Sequence, residues 1–383
     1  MLCIFSSLVL SSCSFNKTPD AIIILPGIMG SEIFDNSGEK LWLDADSPDG
    51  IISILPKLQL LKYTKENTLK TASPIINDPQ SETNYGTFNT YKSLYNTVYD
   101  VFKEKTDVVF FSYDWRLNPY FSAKELDEFI NDREYGKVTL IAHSMGGIVA
   151  SQYIALGKDQ QKSVSKLITL GTPYLGSTLA SQAMLSGNVL GSLAGSFISP
   201  AIKDICPAIP ALYALLPFEQ NWSASLCKDG VKVKSYSEEI ELLSSYVDGW
   251  NEEFYNEAYE YNKRMFTDKG HITQKVDSYY IVGNGEETTD IINILSDGSF
   301  KYEKSNTGDG TVSYHSATMG NSTDKGFLYI KYSSDSKSAL HGDLVGGKDI
   351  TTPIFVTAII NNTHLEYDNM SLRESYGLTQ LQS

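Results

Sequence analysis

The run Lys137-Val138-Thr139-Leu140-Ile141-Ala142-His143-Ser144-Met145-Gly146-Gly147-Ile148-Val149-Ala150 constrains this chain more than any other feature of its sequence. A β-branched apolar stretch passes directly into a turn of small residues, and the turn into a stretch able to form a helix. Small residues two before and two after the serine, here Ala142 and Gly146, let the backbone fold sharply enough to push the Ser144 hydroxyl into the open. The following helix aims its N-terminal N–H groups at negative charge developing beside that hydroxyl. Such an elbow needs a buried strand before it and a helix after it, so a sheet covered by helices is expected around Ser144.

The rest of the chain carries the same alternation. Ala21 to Leu25, Val108 to Ser112, Val138 to Ile141, Leu167 to Leu170, Ser278 to Val282 and Phe327 to Tyr332 read as buried parallel strands. Apolar residues at three- and four-residue spacing in Ala123 to Ile130 predict a helix crossing over that sheet. The core is expected over 20–176 and 276–383. Residues 36–90, rich in Asp, Pro, Asn and Thr, read as an insertion, and residues 177–275 as a cap or lid over the site. A chain of 383 residues, 42% hydrophobic, can bury a core of that size. Its net charge of -15 repels phosphate backbones and argues against nucleic acid as a partner. Residues 1–13 form a short apolar run ending Leu10-Ser11-Ser12-Cys13, the pattern of an export signal whose cysteine is acylated. The mature protein is therefore expected outside the cytoplasm, tethered to a membrane through Cys13 or secreted. Cys206 and Cys227 remain as the one cysteine pair of the folded body, bridged or as two buried thiols.

A serine hydroxyl needs a base, and the base an orienting acid, in the chain order Ser, acid, His on a fold of this kind. Asp309 lies between glycines in Gly308-Asp309-Gly310-Thr311-Val312, after the Ser278 strand, and is the expected acid. His341 follows the Phe327 strand and is the expected base. His315 is a rival separated from Asp309 by no strand, and His143 is expected to pack or hydrogen-bond beside the site. Two N–H donors must hold the oxyanion. Met145 supplies one, and the loop after Ala21 to Leu25 the other, from Ile28 or alternatively Met29. Neither His nor Cys clusters at ligand spacing, so no metal or cofactor is implied.

Seven blocks stand in order along the chain: LPGIMGS at 25–31, YDWRLNP at 113–119, AHSMGG at 142–147, LITLGTPYLGS at 167–177, PALYALLP at 210–217, GDGTV at 308–312 and LHGDL at 340–344. Together they resemble the lecithin:cholesterol acyltransferase family, which includes lysosomal phospholipase and bacterial lipase relatives. The resemblance implies an α/β-hydrolase fold, with a mostly parallel central sheet, helices on both faces and an inserted cap. It maps the family's triad onto Ser144, Asp309 and His341, and an oxyanion N–H onto Ile28. The elbow departs from the family's pattern by starting on Ala142, and no feature points to cholesterol as acceptor. Arg116 in the Tyr-Asp-Trp-Arg block is expected to pair with Asp114 or a nearby carboxylate as structural support. The apolar stretch Ile205 to Phe218 suits either an acyl groove or packing within the cap.

The function expected is serine-dependent hydrolysis of lipid-like acyl esters through an acyl-enzyme, at a membrane surface. Transfer of the acyl group to an alcohol is the alternative. A surface lipoprotein without chemistry, and a peptidase or thioesterase on the same scaffold, are the remaining classes.

Overall fold

The computed structural model describes residues 19–42, 55–65, 69–86, 89–188, 193–218, 225–320, 326–334 and 336–381. The expected signal at 1–13, with Cys13, lies outside them. Eight strands form the central sheet: β1 (Ala21–Leu25), β2 (Ile75–Ile76), β3 (Asp107–Phe110), β4 (Val138–His143), β5 (Val164–Leu170), β6 (Ser278–Asn284), β7 (Phe327–Tyr332) and β8 (Leu378–Leu381). Their order is β8-β7-β6-β5-β4-β1-β3-β2. The six inner strands run parallel, while β2 and β8 close the two edges antiparallel. All six strands expected from the sequence are present. Every residue of β1 and β4 is buried, which is why β1 reads as an unbroken apolar run and β4 as an apolar run interrupted only by Thr139 and ended by His143, neither of them alternating.

Side chains of successive strand residues leave on opposite faces, and the two faces build separate cores. Ile23, Leu25 and Leu140 point to one core, where helix α2 (Pro119–Asp132) packs with Leu126 and Ile130, and α3 (Met145–Leu156) with Ile148, Val149 and Tyr153. Ile22, Ile24 and Ile141 point to the other, where α1 (Lys92–Phe102) brings Leu94, Tyr95 and Val98 and α4 (Thr351–Ile360) brings Phe355, Val356 and Ile359. The fold is thus α/β with helices on both faces of a mostly parallel sheet. The stretch read as a cap carries the helices Thr178–Ser186, Leu193–Ile205, Tyr236–Tyr246 and Glu252–Lys263. A four-stranded side sheet joins Leu226–Lys228 and Val231–Lys232 to the hairpin Thr288–Ile294 and Phe300–Ser305. That hairpin lies beyond the boundary drawn at 275–276, and its β-branched strand pairs with the cap instead of continuing the core. Ile205, Cys206, Tyr213, Leu216 and Phe218 are buried in the first core, so packing accounts for these residues of the apolar stretch 205–218. Cys206 and Cys227 are both free and buried, each on its own element, the second in strand register with Asn293. No disulfide joins them. Among the described residues no helix is long and apolar enough to cross a membrane.

Candidate active site

Ser144 directly follows β4 and caps α3 with φ 54 and ψ -129, a backbone conformation that side chains rarely adopt. The strain is held from both sides. Its N–H donates to the Leu170 carbonyl at 2.9 Å, at the carboxyl end of the neighbouring β5, and its own carbonyl accepts from Gly147 at 2.9 Å. Met145 follows as the first residue of α3, where an N–H has no acceptor within the helix.

Asp309 and His341 arrive on loops after β6 and β7, both at the carboxyl ends of strands, where ligand sites of parallel sheets form. The buried Asp309 carboxylate is divided between two tasks. Its Oδ1 accepts from the N–H groups of Thr311 at 3.0 Å and Val312 at 2.7 Å, and its Oδ2 sits 2.7 Å from His341 Nδ1. The turn glycines foreseen around Asp309 thus allow the carboxylate to be gripped by its own loop. A further link, His341 N–H to the Asp309 carbonyl at 2.9 Å, ties the two loops together. With Nδ1–H committed to the carboxylate, the imidazole presents Nε2 as a bare acceptor. Between this pair and Ser144 stands Gly171, directly after β5, with φ 58. A β-carbon there would lie 2.8 Å from Asp309 Oδ2 and 3.0 Å from His341 Nδ1, so the close approach requires glycine. Among the described residues no hydrogen bond joins Ser144 to His341; nucleophile and base often tighten only once substrate is bound.

The loop after β1 lies against the serine: a β-carbon on Gly27 would stand 2.8 Å from Ser144 Cβ. Ile28 follows, partly buried, and Gly30 N–H closes the turn on the Gly27 carbonyl at 3.0 Å. Met29 has φ 61, is 37% exposed, and its carbonyl is held by the Trp42 indole at 2.9 Å. The Tyr-Asp-Trp-Arg block clamps this loop. Tyr113 O–H donates to the Pro26 carbonyl at 2.5 Å, and Trp115 Nε1–H to the Ser31 carbonyl at 3.1 Å. Behind them the fully buried Arg116 meets Asp114 through Nε at 2.9 Å and Nη2 at 2.7 Å, and Nη1 donates to the Leu61 carbonyl at 3.2 Å. Asp114 is thus the carboxylate paired with Arg116.

The other histidines lie apart from the carboxylate. His315 is exposed on the short helix Tyr314–Ala317, and His364 packs edge-on against Tyr279 in the second core. His271 is buried beside Tyr174, and that burial pushes its pKa down to about 3. His143 does hydrogen-bond beside the site, through Nδ1 to Tyr91 O–H at 2.8 Å and Nε2 to the His341 carbonyl at 3.0 Å. Tyr91 is the site residue that the sequence did not disclose. It sits one residue beyond the insertion read over 36–90, in no motif, and the hint in the sequence was the aromatic run Tyr85 to Tyr95 leading into a helical pattern.

A serine on a strained strand-to-helix turn, with a carboxylate–imidazole pair on later loops of the same sheet, defines the α/β-hydrolases as the class of this fold. Residues 80–262, which hold four of the seven blocks and Ser144, match the model of the lecithin:cholesterol acyltransferase family, and over that stretch the resemblance read from the sequence is borne out. Among solved structures, a chain of the Tle4–Tli4 complex is similar at 14% identity and TM-score 0.59, over 91% of this chain and 99% of that one. Fainter likenesses are the mature Bacillus licheniformis lipase BlEst2, 15% identical with TM-score 0.40 over 89% of this chain and 92% of that one. Phospholipase PlaB from Legionella pneumophila is another, 14% identical with TM-score 0.40 over 76% and 62%. At such identities the likeness concerns the fold alone. No curated protein matches the sequence.

Proposed function

We propose that this chain hydrolyses acyl esters of lipids through an acyl-enzyme on Ser144. The observation that carries this is the strained Ser144 turn beside the Asp309–His341 pair, which is held at 2.7 Å and leaves Nε2 as the free acceptor. In this mechanism His341 Nε2 takes the Ser144 proton as Oγ bonds to the ester carbonyl carbon, and the N–H groups of Ile28 and Met145 receive the oxyanion. The tetrahedral centre collapses as His341 returns the proton to the departing alcohol. Water, deprotonated by the same imidazole, then releases the acid and regenerates Ser144. Lipid as substrate class is supported by the lecithin:cholesterol acyltransferase family match over 80–262.

Wild type and Ser144→Ala, assayed for released acid on a phospholipid, a triacylglycerol and a short-chain aryl ester, test the proposal. Turnover is expected to fall by ~10³-fold or more in the variant. Equal rates in the two proteins, or none on any ester from folded wild type, would remove the serine mechanism. Transfer to an alcohol is the second reading, favoured by the acyltransferase family match over 80–262. With long-chain alcohol added, an excess of new ester over free acid would select it. The proposal also places the protein at a membrane surface through an acylated Cys13. Cys13→Ala is expected to move the protein from the membrane fraction to the soluble one, and its retention on membranes would discard the tether.

A further inference from the structure

Tyr91 and His143 take no part in the chemistry proposed above, yet they join its two halves. Both are buried, 4% and 5% exposed. Gly27, one residue before the proposed oxyanion donor Ile28, donates its N–H to Tyr91 Oη at 2.7 Å. Tyr91 Oη lies 2.8 Å from His143 Nδ1, and His143 Nε2 lies 3.0 Å from the carbonyl of His341. The carbonyl can only accept, so Nε2 carries the hydrogen. Burial and the neighbouring His341 hold the His143 pKa well below its ordinary value, which keeps the ring neutral and its Nδ1 bare. Tyr91 O–H therefore donates to Nδ1 while its oxygen accepts from Gly27. Desolvation keeps the phenol protonated. Every hydrogen in the chain has one direction, from the oxyanion loop at one end to the base loop at the other.

We infer that Tyr91 and His143 are positioning residues that fix the Gly27–Ile28 loop and the His341 loop in one frame, so that the oxyanion donor and the base address the same substrate carbon. The inference rests on the proposed roles of Ser144, His341 and Ile28. Simple packing would be served as well by apolar rings. A fully satisfied buried polar chain adds what apolar contact lacks, a single defined geometry, and loses it when one member is removed. His143 is also the residue directly before Ser144, so the same chain registers both loops against the strand that carries the serine.

The test uses the full chain and four variants. Tyr91→Phe keeps the ring against Phe110, 5.6 Å between centroids, and removes only the hydroxyl. His143→Leu removes both nitrogens, and His143→Gln keeps one donor and one acceptor on a flat group. Tyr91→Phe and His143→Leu are each expected to lower kcat on a short-chain aryl ester by ~10–100-fold with KM changed less than ~3-fold. The double variant should fall no further than the worse single, and His143→Gln should retain kcat within ~5-fold of wild type. Near-wild-type kcat in folded Tyr91→Phe and His143→Leu would overturn the inference, as would additive losses or losses confined to KM. Should His143→Leu not fold, Tyr91→Phe decides alone. Labelling of Ser144 by a fluorophosphonate separates the two levels of argument. Wild type that neither turns over ester nor takes the label defeats the proposed function, whereas labelled, active wild type with unaffected variants defeats only the positioning roles.

Discussion

Asp309 shows how much of the proposed chemistry depends on a single atom's orientation. Two backbone N–H groups grip Oδ1, at 3.0 and 2.7 Å, so only Oδ2 is free to face His341 Nδ1. In Asp309→Asn the same N–H pair selects the amide oxygen, because two donors cannot face each other, and the NH₂ group turns to His341. That forces the hydrogen of the imidazole onto Nε2 and removes the base. Turnover on esters is therefore expected to fall by ~10⁴-fold while the thermal midpoint stays within a few degrees of wild type. A loss below tenfold in a folded variant would assign the orienting role elsewhere. At this scale the sequence exposes whatever a motif brackets: Ser144 between small residues, Asp309 between glycines, His341 after its strand. Tyr91 escapes because its partners, Gly27 and His143, lie 64 and 52 residues away and its own neighbourhood has no pattern that a tertiary hydrogen bond would leave.

Among the elements, the segment between β3 and α2 ties several others together. Tyr113 and Trp115 hold the loop after β1, Arg116 N–H groups hold Asp114 and Leu61, and the Arg116 carbonyl accepts from Ala211 in the helix Pro210–Ala214. Replacing Arg116 by Met would leave the Asp114 carboxylate buried without its cation. Such losses cost about 3–5 kcal/mol, so the urea midpoint should drop sharply, and Asp114→Asn added to Arg116→Met should recover part of it. An unchanged midpoint would show that the pair is dispensable to the fold. Strand existence was legible because parallel strands buried on both faces carry short runs dominated by apolar, β-branched or aromatic residues; their ends moved by a few residues, Val164–Leu170 against the expected Leu167 to Leu170, where Ser165 and Lys166 interrupt the run. Edge strands Ile75–Ile76 and Leu378–Leu381 were not legible, being too short or too mixed for a pattern to build. The side sheet was missed for a different reason. Its parallel partner strands, Leu226–Lys228 and Thr288–Ile294, stand far apart in the chain, and pairing over such distances leaves no local trace.

Across the whole molecule, titrating groups shifted in opposite directions oppose one another, and their balance sets the response to acid. Burial lowers the pKa values of His143, His271 and His364, while partial desolvation, with Asp114 and Glu128 nearby, raises that of the surface residue Glu125 to about 7, and desolvation raises that of the half-buried Glu257. Below the ordinary histidine value of 6.5 the unfolded chain binds protons at these three imidazoles that the native protein refuses, so stability falls as the pH falls. Between about 7 and the ordinary glutamate value of 4.5 the native protein instead binds protons at Glu125 that the unfolded chain does not, which offsets a small part of the loss, since solvent screens this exposed side chain. Below 4.5 the offset has ended while His271, held to about 3, still resists protonation. The thermal midpoint is therefore expected to decline gently from pH 6.5 to 4.5 and more steeply from there towards pH 3.5. His271→Leu removes one of the refused protons, and over the window from 6.5 to about 3 its stability should decline less steeply than wild type, by about 1.4 kcal/mol per pH unit. Urea unfolding at half-unit pH intervals measures both slopes. Parallel curves for variant and wild type would mean that His271 takes up its proton in the native state, and the neutral, desolvated imidazole beside Tyr174 would have to be given up.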